Sequence, residues 1–103
     1  MNITSIPKHN CTLEEVINFY RNSDVYRRLK SSSQKDYDNH LSATLITEVE
    51  GKMLRAYRCK NLKVRHITQA YDKWLEIGTR TANYRRSVLS AAWKHAMRHD
   101  VFI

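Results

Sequence analysis

His95 and His99 stand four residues apart, the spacing at which one helix face can offer two imidazoles to a metal ion. No HExxH motif surrounds them and no third ligand stands at a fixed offset, so no metal is expected there. Cys11 and Cys59 lie far apart in sequence, form no CxxC pair and do not resemble the dense frameworks of small secreted domains. A reducing cytoplasm is the expected compartment. Tyr20, Tyr37 and Tyr71 recur within apolar stripes and read as core rather than as nucleophiles, and Trp74 and Trp93 read the same way. No acid, base and nucleophile converge, so an enzyme ranks last among the function classes and no cofactor is expected.

The chemistry the sequence does carry is cationic. Eighteen Lys and Arg against ten Asp and Glu give a formal charge of +8, and the basic residues are segregated. No acid occurs from Val25 to Lys35, from Gly51 to Tyr71 or from Ile77 to His99. Such segregation is the footprint of a phosphate-backbone partner, and duplex DNA is the expected one. Lys30, Ser32, Ser33 and Lys35 cluster where a helix begins, so that hydroxyls, backbone N–H groups and the helix dipole can meet a phosphate. Arg80, Thr81, Asn83, Arg85 and Arg86 repeat this at a later helix start. Arg can grip a phosphate or a guanine edge, and Asn an adenine edge. Lys60, Lys63 and Arg65 are placed to track backbone rather than to read bases. The competing reading is a helical protein-interaction module whose basic face meets an acidic partner.

The elements that must position these groups are helices. Two Gly and one Pro in 103 residues leave an all-β fold without turn residues, and no apolar run approaches the roughly 20 residues that span a bilayer. Residues 1–11, with the lone Pro7, read as a leader or linker remnant. Residues 12–103 read as one domain, monomeric in isolation. Thr12 and Glu15 form a capping box ahead of Leu13, Val16, Ile17 and Tyr20, one apolar stripe of a first helix. A further short turn fits Val25 to Leu29. Ser32 or Ser33 is the expected cap of a second helix, with Tyr37, Leu41 and Leu45 inward. Thr47 to Arg65 stays unassigned, with Gly51 interrupting and Leu62 and Val64 locally extended. A third helix carries Ile67, Ala70, Tyr71, Trp74 and Leu75, capped by Thr68 and stopped by Gly78. The last opens after Thr79 or Thr81, runs to about His99 and turns Val88, Leu89, Ala92, Trp93, Ala96 and Met97 inward, with Phe102 and Ile103 beneath its end. The expected fold is all-α, a compact four-helix bundle.

In their order and spacing, Gly78-Thr79-Arg80-Thr81-Ala82-Asn83, Leu89-Ser90, Trp93, Ala96 and Val101-Phe102-Ile103 resemble the N-terminal core-binding, SAM-like domain of phage-integrase-type tyrosine recombinases. Ser33, Tyr37 and Leu41, and Ile67-Thr68, match further positions of the same pattern, which covers roughly Thr12 to Ile103. The resemblance implies a module that clamps one side of a core-type recombination site. A separate catalytic domain of the same parent protein, holding the arginines and the tyrosine nucleophile, closes on the other side. The chain departs from the pattern in its long basic stretch after Gly51. It also has Asp36 where the family can place a base-contacting amide on the second helix.

Overall fold

A computed structural model describes residues 11–99. The expectations for the leader up to residue 10, and for Val101, Phe102 and Ile103, lie outside the described residues. The described chain is mostly helical: α1 (Leu13–Arg21), a single turn α2 (Asp24–Arg27), α3 (Ser31–Ile46), α4 (Val64–Leu75) and α5 (Thr79–Arg98). A minimal antiparallel hairpin, β1 (Glu48–Val49) with β2 (Lys52–Met53), and two 3₁₀ turns, Leu54–Ala56 and Cys59–Asn61, join α3 to α4.

The start of α1 follows from its capping box. The Glu15 N–H donates to Thr12 Oγ1 at 3.2 Å while the Thr12 N–H donates to Glu15 Oε1 at 2.8 Å. The stripe that follows, Leu13, Val16, Ile17 and Tyr20, is buried in full. Just before it, Cys11 is 1% exposed and its carbonyl accepts the Cys59 N–H, which ties residue 11 to the core.

Neither serine caps α3, contrary to expectation. The helix begins at Ser31 with Lys30 in extended geometry at the N-cap, and no side chain caps it. What sets this corner is Gln34, whose amide donates to the carbonyls of Arg27 and Leu29 at 3.1 and 2.9 Å, while the Tyr26 hydroxyl donates to the Gln34 carbonyl. With those carbonyls satisfied from inside α3, all three serines fall within its first turn. Leu41 and Leu45 are buried as expected, joined by Thr44, whose hydroxyl donates to the His40 carbonyl.

The unassigned connection is ordered by contacts distant in sequence. Glu50 and Gly51 both adopt positive φ, 54° and 83°, in the two-residue turn between β1 and β2. Glu50 sits in a conformation unusual for its residue type, and its carboxylate is gripped by Arg65, Gln69 and His66 from α4. Val64 is the first residue of α4 rather than part of an extended segment, and Thr68 is not its cap. The Lys63 N–H donates to His66 Nδ1 at 2.8 Å, so a histidine three residues in takes the reciprocal role usually filled by Glu or Gln.

α5 packs against α1, α3 and α4. Its inward stripe is Ala82, Val88, Leu89, Ala92 and Ala96. Met97, expected inward, is 57% exposed, and Leu75 on α4 is 38% exposed, because each falls off its helix's buried stripe. Tyr37, Tyr71 and Trp93 are partly buried at the edge of the core, whereas Trp74 is buried and donates through Nε1 to Thr47 Oγ1 at 3.0 Å. Removing the capping box with Thr12→Ala should lower unfolding free energy by about 1 kcal/mol. Urea denaturation measures it, and a loss well under half of that would mean water replaces the cap at no cost.

Candidate nucleic-acid interface

α5 has an outer face as well as a buried one. A groove of about 690 Å³ runs along it, lined by Asn83, Arg86, Ser87, Ser90, Lys94 and Arg98 on α5 and walled opposite by Tyr20 of α1 and Val25 of α2. No carboxylate lines it. Residues 86, 90, 94 and 98 follow at four-residue intervals, so they climb one side of the helix over about 18 Å. Arg86, Lys94 and Arg98 form no ion pair with the carboxylates of the described residues.

Of the residues singled out from sequence, the structure brings Asn83 and Arg86 into this groove. Arg86 also borders a second, mainly apolar depression of about 300 Å³ between α4 and α5, where it meets Lys63, Val64, Ile67 and Trp93. Lys60 is exposed on the Cys59–Asn61 turn, and Arg80 is exposed in the first turn of α5. Lys30, Ser32, Ser33 and Lys35 line neither depression, although the start of α3 carries no side-chain cap. Thr81 is half-buried on the side of α5 turned from the groove.

Two of the candidate arginines are tied into the fold. Arg65 lies 3.0 Å from Glu50 and holds the hairpin to α4. Hydrogen bonds from Arg65 and Gln69 pull the Glu50 carboxyl down to about 2. Arg85 is half-buried, lies over the Trp74 ring at 5.3 Å and donates to His40 Nδ1 at 3.3 Å. Arg86, one residue on, is exposed and lies over Tyr71 at 5.5 Å, while the Tyr71 hydroxyl donates to Asn83 Oδ1. Tyr71 therefore orients two groove residues from α4.

Sequence reasoning passed over Ser87, Ser90, Lys94 and Arg98 as contact residues. Their signal was the four-residue spacing from Arg86 on the face opposite the apolar stripe, which becomes legible once the helix start is fixed. His95 and His99 do share a face, with ring centroids 4.4 Å apart, but His95 is buried against Phe19 and Tyr20. Among the described residues no group of three or more His, Cys, Asp or Glu side chains is placed to hold a metal ion. No helix among them is long and apolar enough to cross a membrane. No family model, curated protein or solved structure matches the chain.

The histidines carry the charge field inward. Burial first, then His99 and Arg98, push His95 below the ordinary histidine value of 6.5, and burial and then Arg85 push His40 the same way. The folded state therefore binds fewer protons than the unfolded chain just below pH 6.5, so stability is full above that value and falls as pH drops toward the folded values. Glu50 adds a separate descent below its ordinary 4.5, as acid protonates the carboxylate that holds the hairpin. Melting from about pH 8 to about pH 5 should show the first descent, and His95→Phe should flatten part of it; an unchanged slope would assign it elsewhere.

The neighbouring arginines should separate cleanly. Arg85→Ala should cost about 1 kcal/mol through lost packing on Trp74, whereas Arg86→Ala should stay within about 0.5 kcal/mol. Paired thermal melts decide it, and equal losses would place both in the core.

Proposed function

We propose that this chain is a duplex-DNA-binding domain of the kind the sequence resembles, the SAM-like core-binding module of a phage-integrase-type tyrosine recombinase. It acts on the core-type site, in DNA integration and recombination, while the catalytic domain of the same parent protein supplies the chemistry. The observation that carries the reading is the acid-free groove on α5, with three cations, two serines and an asparagine on one helix face and no carboxylate among the described residues to neutralise them. Phosphates are the counter-ions such a face lacks, and hydroxyl and amide groups between the cations supply the shorter contacts of a backbone-tracking surface. Asn83 and Arg86 lie nearest the start of α5, where side chains can pass between phosphates to base edges. Lys63, at the rim of the adjoining depression, and Arg80 extend the field. The cytoplasm is the compartment that fits such a role, with the domain monomeric until it meets DNA.

A second reading has its own observation. The depression between α4 and α5 is mainly apolar and Val64 beside it is 83% exposed, which suits a protein partner with an acidic rim.

Fluorescence anisotropy with labelled random and candidate attachment-site duplexes at several salt concentrations separates the two. On the DNA reading log affinity falls against log salt with a slope of about −4, from four or five neutralised phosphates. The pair Lys94→Ala and Arg98→Ala should shallow that slope by about 2. Tighter binding to the attachment site marks a half-site reader. Absence of binding at low salt rejects DNA and leaves the protein-interaction module.

A further inference from the structure

The two cysteines form a pair that DNA binding leaves unused. Thr12 and Arg58 make an isolated antiparallel bridge, which sets Cys11 and Cys59 as the next directly opposed residues. The Cys59 N–H donates to the Cys11 carbonyl at 2.9 Å, and on the other side of the bridge the Leu13 N–H donates to the Tyr57 carbonyl at 3.0 Å. Opposed residues in a hydrogen-bonded antiparallel pair stand about 5.5 Å apart at Cα, with side chains on the same side. That separation falls inside the range of roughly 4.4–6.8 Å that an unstrained disulfide uses. Both side chains are buried in one small cluster with Val16 and Ala96. Burial, and then a hydrogen bond with Cys11, hold the Cys59 thiol well above the usual cysteine value.

We infer that Cys11 and Cys59 are a redox modification site, closing an intramolecular disulfide that latches the chain ahead of α1 to the turn ahead of α4. The step needs a two-electron oxidant, and a small dialkyl disulfide supplies it. The Cys59 sulfur, the more exposed of the two at 8% against 1%, loses its proton and attacks one sulfur of the oxidant, whose S–S bond breaks and releases one thiolate. The Cys11 sulfur then loses its proton, attacks the Cys59 sulfur of the mixed disulfide and expels the second thiolate. The protein pair has given up two electrons and two protons, and the oxidant has become two thiols. Because both thiols are buried, the reaction runs through local opening of the crossing and is slow beside that of an exposed cysteine. The closed bond pins the Cys59–Asn61 turn, which carries Lys60 and leads into Lys63 at the start of α4.

The full chain treated with hydroxyethyl disulfide, with and without moderate urea to speed opening, tests this by intact mass, thiol count after denaturation, and Tm. The expected product is a monomer lighter by two hydrogens, with no titratable thiol and with Tm raised on the order of 10 °C, all reversed by dithiothreitol. Cys11→Ser and Cys59→Ser should each keep one oxidant adduct and show no rise. A lasting mixed disulfide on the wild-type chain, a cross-linked dimer, or a mass unchanged even after urea-assisted opening would overturn it. So would an internal bond that leaves Tm level or lower. The comparison of wild-type chain with and without reductant stands even where a serine variant folds poorly, and it is independent of any DNA measurement.

Discussion

Everything else in this fold depends on how closely three helices can approach α5. Three of its inward residues, Ala82, Ala92 and Ala96, have no exposed surface at all, and a methyl group is the largest side chain each contributes to the contact. Small residues at the crossing points let backbones come near one another, while Val88 and Leu89 fill the spaces left between α1, α3 and α4. A helix buried along so narrow a stripe cannot rotate about its axis without driving a larger or charged residue into the core. Fixing the inner face therefore fixes the outer one, and the row at 86, 90, 94 and 98 faces the groove as a consequence of where the alanines are.

The same constraint sorts the charges. Three arginines elsewhere on the molecule are tied into the fold: Arg21 holds Asp38 and Ser42, Arg55 holds Glu14, and Arg65 holds Glu50. Each of these joins elements distant in sequence, α1 to α3, the first 3₁₀ turn to α1, and α4 to the hairpin. Exposed pairs of this kind contribute little energy singly, and their main effect is on register and orientation. The outer face of α5, by contrast, keeps Arg86, Lys94 and Arg98 in a groove that no carboxylate lines. A formal charge of +8 spread evenly would be a solubility feature, but three cations in a row on one helix face make a local field with a direction.

How much of this could be read from sequence follows from the range of the forces involved. Local signals translated well: the Thr12 and Glu15 capping box, the apolar stripe of α1, the Leu41 and Leu45 spacing of α3, and the length of α5 are all set by residues within one or two turns of each other. The failures lie where a side chain not usually read as a cap decides, or where a partner further along the chain does. Ser32 and Ser33 have the chemistry of caps, but Gln34 reaches back across the corner and starts the helix earlier. Val64 has the β-branched look of a strand, yet His66 caps the helix that begins with it, and the hairpin that Glu50 anchors to α4 could not be seen from Gly51. At the candidate site, Arg85 and Arg86 are indistinguishable in sequence. One lies over Trp74 and the other faces the groove because consecutive residues on a helix point about 100° apart, and only the rotation of α5 says which is which.

Concentrating cations on one face has a cost that reaches the interior. Burial first, and then His99 and Arg98, depress the proton affinity of His95, so the positive field already opposes any further charge near the α1–α5 contact. Like charges held together on a folded surface favour the expanded chain, where they can separate. On the proposed reading a phosphate backbone lying in the groove removes that repulsion, and because it binds the folded face and not the unfolded chain, it adds its binding free energy to stability. His95 and the groove cation Arg98 then belong to one electrostatic system. The apolar stripe of α5 holds the cations together, and an anionic partner relieves the strain of doing so.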